Sequence, residues 1–265
     1  MSDPRPGRHA DDVAIVTGST KGIGAGVAER LAAEGARVVV NGRSEADGRR
    51  VVDAIRADGG EAVFIAADMR DPDAIASLVD ATAERYGRVD ILVNNAGVQT
   101  ETTATEATMD DWEFVVETDF RSFWLCVKHV VEHMPDGGAV LNMSSNHAFL
   151  TMPGLFPYNA VKSGINGMTR ALALELGPLG IRVNTINPGW VDVERTREEL
   201  SDDDRERVEA MHPLGRIGTP DDVAATVAFL TSDEASFITG TSLLVDGGRT
   251  AVMQDHSFLE YARSR

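Results

Sequence analysis

Short runs of Val, Ile, Leu and Ala recur along the chain, and each gives way to a turn and then, in most cases, to an amphipathic stretch. The runs are "VAIVTG" (13–18), "RVVVNG" (37–42), "AVFIAAD" (62–68), "DILVNNAG" (90–97), "AVLNMSS" (139–145), "IRVNTINPG" (181–189) and "SLLVDGG" (242–248). Apolar and polar residues do not alternate within them. That is the signature of strands covered on both faces, as in a parallel sheet. The segments between carry helix start signals. Ser44 precedes "EADGRRVVDAIRA", Asp71-Pro72 opens "DAIASLVDATAERYG", and Pro220-Asp221-Asp222 opens "VAATVAFLTSD". A side-chain oxygen followed by proline at the first helical position is a cap. Strands alternating with helices imply right-handed crossovers and a doubly wound α/β sheet with helices on both faces. No linker interrupts the 265 residues. The expected organisation is a disordered leader over 1–11 and a single doubly wound α/β domain over 12–265, with the charged stretch 191–218 as a substrate lid.

Composition narrows the partners. A formal net charge of −17 disfavours nucleic acid and anionic membranes. No apolar run is long enough to cross a bilayer, and the polar first residues lack the apolar core of a signal peptide. Cys126, the single cysteine, cannot form an internal disulfide and suits a reducing cytoplasm. No metal site is expected. The basic residues are nearly all arginine; the lysines are Lys21, Lys128 and Lys162. Arginine does not replace a compact, tunable ammonium.

"TGSTKGIG" (17–24) follows the first strand and opens a helix. Glycines there let the backbone approach a pyrophosphate, whose charge the helix N-terminus favours. The spacing is G-x-x-x-G-x-G, through Gly18, Gly22 and Gly24, not the commoner G-x-G-x-x-G. An ordinary tight turn would look similar, but its place at the head of a βαβ repeat favours a dinucleotide site. NAD sites usually end the second strand with an acid for the ribose 2′-hydroxyl. Here Gly42 stands at that point and Arg43 follows, with Lys21 inside the glycine turn. Two cations and no acid suit a 2′-phosphate, so NADP(H) is expected in preference to NAD(H).

In "YNAVK" (158–162), Tyr158 and Lys162 are spaced i and i+4, which puts both on one helix face. A free phenol, with a pKa near ~10, is a poor base at neutral pH, and a neighbouring ammonium favours its ionised form. Such a tyrosine can exchange a proton with a substrate oxygen while hydride moves at the adjacent carbon. Alone, the pair is no more than a common surface pairing. Ser145 ends the strand "AVLNMSS" at the carboxyl edge of the sheet, where ligands of such folds bind.

Together "TGSTKGIG", "NNAG" (94–97), Ser145, "YNAVK" and "NPGWV" (187–191), in this order and spacing, resemble the short-chain dehydrogenases/reductases, from about Val13 to Gly248. The resemblance implies a Rossmann-type sheet of seven parallel strands over 12–265, a nicotinamide cofactor and a homotetramer or dimer built partly on long helices around 109–134 and 158–177. It implies that Ser145 hydrogen-bonds the substrate carbonyl and that Lys162 tunes Tyr158 and holds the ribose. The implied cofactor groove takes in Gly18, Thr20, Lys21, Gly22, Ile23 and Gly24 from the turn, with Arg43 after the second strand. Asp68, facing adenine, and Met69 follow the third strand. Asn94, Asn95, Ala96 and Gly97 follow the fourth. Tyr158, Lys162, Pro188, Gly189 and Val191 complete it. For Asp68 a plain helix cap, and for Asn94 a strand-stabilising role, stand as alternatives.

Two positions depart from the family pattern. Asp119 occupies the place of the fourth active-site residue, usually asparagine, so a charge is expected near Lys162 that couples its titration to that of Tyr158. Val193 replaces a threonine that usually contacts the carboxamide. "MSSxH" and "VVVNGRS" resemble bacterial glucose 1-dehydrogenases and give Asn146 and His147 as hydroxyl partners, with a solvent-facing loop position as the equal alternative for His147 and Trp190 as a further pocket wall. An apolar loop suits a cyclic or aryl ketone equally well. The expected function is interconversion of a ketone or aldehyde with a secondary alcohol or sugar hydroxyl. One alternative is a 3-oxoacyl-thioester reductase, which the acidic lid disfavours because an acidic carrier protein would be repelled. Another is a non-catalytic NADP-binding sensor or scaffold, which would not need both Tyr158 and Lys162.

Overall fold

The chain runs out along one half of a sheet, returns to its middle, and then fills the other half. In the computed structural model, which describes residues 3–134 and 137–252, the strands are β1 (Val13–Val16), β2 (Arg37–Gly42), β3 (Glu61–Ala66), β4 (Ile91–Asn94), β5 (Gly138–Met143), β6 (Ile181–Pro188) and β7 (Ser242–Val245). They form one seven-stranded parallel sheet in the order β3-β2-β1-β4-β5-β6-β7. The order reverses between β1 and β4. The carboxyl ends of those two strands therefore open a crevice, the place where doubly wound sheets bind ligands.

The helices are α1 (Gly22–Ala33), α2 (Glu45–Ala57), α3 (Pro72–Tyr86), α4 (Met109–Val115), α5 (Ser122–Val130), α6 (Tyr158–Leu176), α7 (Glu194–Glu199), α8 (Asp202–Ala210) and α9 (Pro220–Thr231). Ala14 and Val16 of β1 join a core with α1, α2 and α9. Ile15, between them, joins a second core with α3 and α5. Both faces of the strand are therefore buried, which is why the apolar runs do not alternate. The caps act as their chemistry predicts. Ser44 accepts from the Asp47 N–H, and Asp71 accepts from those of Asp73 and Ala74 ahead of Pro72. The cap of α9 is Thr219, one residue before Pro220, in a reciprocal box with Asp222.

The leader is a correction. Residues 3–11 were expected to be disordered, yet they form turns packed on α1 and α9. His9 is fully buried, with its ring nitrogens 2.9 Å from Asp12 Oδ2 and 3.0 Å from the Ala228 carbonyl. Glu34, also fully buried, meets Arg30 at 2.6 Å and Arg8 at 3.1 Å, and accepts from the Arg5 N–H. The polarity that suggested disorder belongs to side chains that neutralise a buried carboxylate.

Within 191–218, α7 and α8 are tied back by Asp192, which pairs with Arg197 at 2.8 Å and Arg205 at 3.2 Å. No helix among the described residues is long and apolar enough to cross a membrane.

Candidate active site

At the crevice, the β1–α1 turn comes so close to the β4 loop that side chains are excluded. A Cβ on Gly18 would lie 2.7 Å from Ala96 Cα, and one on Gly24 would lie 2.5 Å from the Gly18 carbonyl oxygen. Gly18 and Gly22 also have positive φ, at 61° and 58°. Helix α1 begins without a side-chain cap and without an acid in its first turn, whereas α2, α3, α4, α8 and α9 all carry acids there. Its leading N–H groups are left for an external anion.

This turn is one wall of a cavity of about 330 Å³. The cavity brings together Gly18, Thr20, Lys21, Gly22, Ile23, Gly24, Arg43, Asp68, Met69, Asn95, Ala96 and Gly97. Lys21 and Arg43 are exposed and make no ion pair among the described residues. Thr118 also faces the cavity, with a buried hydroxyl that has no partner among the described residues. An uncapped helix end, a glycine cradle and this unpaired hydroxyl fit a phosphate-bearing dinucleotide.

Six expected cofactor positions lie outside this cavity. Asn94 is fully buried and donates to Asn142 Oδ1 at 2.9 Å and to the Phe123 carbonyl. It ties β4 to its neighbours, while Asn95 turns outward to donate to the carbonyls of Thr17 and Gly18. Pro188, Gly189 and Val191 do not line the cavity. Val191 is packed into the core and Val193 lines the cavity in its stead. Tyr158 and Lys162 lie beyond the cavity's end, where a Cβ on Gly97 would come within 3.5 Å of Lys162 Nζ.

Asn41 and Arg70 line the cavity and were not anticipated. Asn41, near the end of β2, accepts from the Gly18 N–H and donates to the Ile65 carbonyl, joining the glycine turn to the ends of β2 and β3. Arg70 clamps Asp68: its backbone N–H and Nε reach Oδ1, and Nη2 reaches Oδ2 at 2.9 Å. That clamp, with further help from Arg43, holds the Asp68 carboxyl below its ordinary range. Asp68 does not cap α3. Arg70 stands in "ADMR", two residues after the acid, and this spacing was the only sequence signal of the clamp.

The catalytic candidates converge on the start of α6. Between α4 and α5 the helix widens into one π-helical turn over Val116–Arg121, and this turn carries Asp119. Extra-wide turns of this kind frequently mark functional positions. Asp119 is fully buried, with Oδ1 accepting from the Val98 N–H at 2.8 Å and Oδ2 lying 2.9 Å from Lys162 Nζ. Lys162 also donates to the Met143 carbonyl at the end of β5, at 3.2 Å. Its ammonium lies 5.4 Å from the centre of the Tyr158 ring. Burial pushes the Asp119 carboxyl up, against the pull of Lys162. Burial alone would lower Lys162, but the charges of Asp119 and then Tyr158 outweigh it and hold the ammonium above its usual range.

Ser145 follows β5 and accepts from the His147 N–H at 3.1 Å. Ser144 is committed otherwise, since its hydroxyl donates to the Lys162 carbonyl at 2.8 Å. The His147 ring stands edge-on to that of Tyr158, with centroids 6.2 Å apart. Burial first, and Arg249 second, lower the imidazole's pKa. Asn146 is buried, and its amide lies close to Gly189. The carbonyl of Trp190 accepts from the Gly218 N–H, which joins its loop to the far end of the 191–218 stretch.

Comparison with known proteins agrees with this geometry. The sequence model of a family described as enoyl-(acyl carrier protein) reductase matches residues 18–250. The 3beta-hydroxysteroid dehydrogenase 1 of Eggerthella lenta is 39% identical over 89% of this chain and 92% of its own. Glucose 1-dehydrogenase 2 of Bacillus subtilis is 38% identical over 89% of this chain and 94% of its own. The solved structure of a short-chain dehydrogenase/reductase from Serratia marcescens superposes with a TM-score of 0.88 at 34% identity, covering 92% of this chain and 99% of that one. With the glycine cradle, the Tyr158–Lys162 pair and this likeness along nearly its whole length, the chain belongs to the short-chain dehydrogenase/reductase family, the NAD(P)-dependent oxidoreductases that interconvert alcohols and carbonyl compounds.

Proposed function

We propose that the protein interconverts a ring ketone and its secondary alcohol with NADP(H) as the preferred cofactor, using Tyr158 as the acid and base. The observation that carries the cofactor preference is the pair of exposed cations at the cavity, Lys21 and Arg43, which make no ion pair among the described residues and stand beside Gly42, where a carboxylate would repel a 2′-phosphate. Gly18, Gly22 and the start of α1 would hold the pyrophosphate. Asn95 keeps the β4 loop against the turn, and Asp68 with Arg70 borders the adenine end.

When bound, the nicotinamide supplies or accepts the hydride. The remaining work falls to side chains of this protein. In reduction, Tyr158 gives its phenolic proton to the carbonyl oxygen as the adjacent carbon gains hydride; in oxidation it takes that proton back. Ser145 hydrogen-bonds the same oxygen. Its Oγ accepts from the His147 N–H and leaves its own proton to donate to that oxygen, while the Ser144 proton is committed to the Lys162 carbonyl. Lys162 stays beneath the phenol, held by Asp119 and Met143.

His147, Asn146 and Trp190 border the substrate side. One relative is named for a hydroxysteroid and another for glucose, both ring compounds bearing hydroxyl groups. That supports a cyclic substrate. The lid helix α8 begins with Asp202, Asp203 and Asp204, which disfavours docking of an acidic carrier protein.

Trp124 on α5 and Leu174 on α6 are 48% and 80% exposed, and support a homotetramer closed over those helices. The lone cysteine, buried with its thiol pushed up to about 12 by burial, fits a reducing cytoplasm.

The test is consumption of NADPH, with NADH as control, against cyclic ketones, aryl ketones, sugars and 3-oxoacyl thioesters. Turnover of a ring ketone with NADPH in preference to NADH is expected. Turnover confined to thioesters, or equal use of both cofactors, overturns the reading.

A further inference from the structure

We infer that Asp119 is the counter-ion of Lys162, and that by cancelling the charge beneath Tyr158 it keeps the phenol protonated to higher pH than an uncharged residue at its place would. The inference rests on the reading of Tyr158 as the acid/base and adds a positioning residue to it. The geometry is direct. Asp119 Oδ2 lies 2.9 Å from Lys162 Nζ, both side chains are buried, and Oδ1 is anchored by the Val98 N–H. The π-helical turn at 116–121 widens the helix where Asp119 stands.

The argument does not depend on which partner holds the proton. With the proton on nitrogen, the pair is an ammonium facing a carboxylate. With the proton on oxygen, it is a neutral amine facing a carboxylic acid. In both states, with one proton between them, the pair has no net charge; with a proton on each it would carry the same positive charge as an asparagine variant, and the titration below would show no shift. An asparagine at 119 would instead leave Lys162 a bare cation, with its ammonium 5.4 Å from the centre of the phenol ring. A bare cation stabilises phenolate; a neutral pair does so only through its dipole.

The other charged groups near the phenol are accounted for. Lys162 comes from its own helix, and Asp119 from the π-helical turn. His147 comes from the turn after β5, with Arg249 acting on it. Burial and Arg249 lower the His147 pKa, so that ring is neutral where phenols titrate. Glu117 and Arg121, in the same π-helical turn, pair with each other at 2.7 Å. Tyr158 also packs against the apolar cluster of Val115, Phe123, Val161 and Ile165.

The functional consequence is a proton-donating tyrosine. The phenol remains available to protonate a carbonyl across the neutral range, so reduction holds its rate there. Oxidation, which needs the ionised form, rises only at alkaline pH.

The test reads tyrosine ionisation without turnover. The chain has three tyrosines, so ultraviolet titration of tyrosinate in the wild type and in Asp119→Asn, each minus the same protein carrying Tyr158→Phe, isolates Tyr158. In Asp119→Asn, Tyr158 is expected to ionise at a pH lower by about one unit. The alkaline rise of alcohol oxidation should move down with it, and NADPH affinity should stay within a few-fold. Asp119→Ala should shift the ionisation in the same direction, and supplies the measurement if the asparagine variant does not fold. Ionisation unchanged or moved upward in the variant overturns the inference. If no carbonyl compound is reduced by the wild type, the functional reading falls, and the titration still decides the role of Asp119.

Discussion

A phenol trades its proton according to the charges beside it, and beside Tyr158 stands the Lys162–Asp119 pair, its lysine a helical turn further along. Removing its hydroxyl tests the acid/base role. Tyr158→Phe keeps the ring and its packing with Val161 and Ile165. It should lower kcat/KM by about 10²–10⁴-fold while NADPH affinity stays within a few-fold. Near-normal turnover in steady-state assays would remove Tyr158 from the mechanism.

At the other end of the cavity, Arg43→Ala should weaken NADPH by about 10–100-fold, the value of one charge-assisted contact, and leave NADH nearly unchanged. Equal losses for both in a binding titration would refute the phosphate contact. Gly18, Tyr158, Lys162 and Ser145 were legible because their geometry is local: a strand-to-helix turn, an i,i+4 pair, a strand end. Arg70 was not, because its grip on Asp68 depends on side-chain geometry after β3 that no spacing rule supplies. Asn94 and Asn95 show the same limit, since successive residues leave a strand on opposite sides and only the fold says which one faces the ligand.

The secondary-structure elements were legible where burial or capping leaves a pattern. Strands buried on both faces read as unbroken apolar runs, and Ser44 and Asp71 mark their helices. The π-helical turn was hidden, because "WEFVVETDFRSFWLC" has the apolar content of an ordinary helix, and a one-residue widening has no signature in composition. The N-terminal segment misled for the opposite reason, since Arg5, Arg8 and His9 look solvent-bound until Glu34 and Ala228 are placed beside them. Glu34 decides how firmly this segment holds. Glu34→Ala removes the carboxylate that faces Arg8 and Arg30 in a buried setting, a change that costs about 3–5 kcal/mol. For a chain of this size each kcal/mol is worth about 2–4 °C, so the melting temperature should fall by about 6–20 °C. A fall of only a degree or two in a thermal melt would mean that the segment adds little to stability.

The whole molecule carries 42 acidic residues against 25 Lys and Arg, with an isoelectric point of about 4.7. Many of the arginines already serve local carboxylates: Arg70 with Asp68, Arg205 with Asp192, Arg216 with Asp222. These contacts hold all three carboxyls below their ordinary range, each mainly through its arginine's hydrogen bonds. A carboxyl with a lower pKa folded than unfolded adds stability that is complete above the unfolded value, near ~4, and is lost as pH falls through the folded one. Glu29 and Asp119 have the opposite sign. Burial raises both, so the stability they contribute is present at low pH and declines as pH rises.

Above pH 5, therefore, the paired carboxylates are fully engaged, and what changes with conditions is the self-repulsion of a chain at −17. Salt screens that repulsion, the Debye length shrinking from ~30 Å at ~0.01 M to ~3 Å at ~1 M. The exposed ion pairs lose strength too, but each is worth only about 0–1 kcal/mol and acts at contact distance, where screening is weakest. Repulsion summed over the surface acts at longer range and loses more. At neutral pH the melting temperature should therefore rise with sodium chloride over that range. At fixed low salt it should also rise as pH falls from about 8 to about 6, and drop again below about 4. A melting temperature that falls steadily with added salt at neutral pH would show that the local pairs outweigh the net charge.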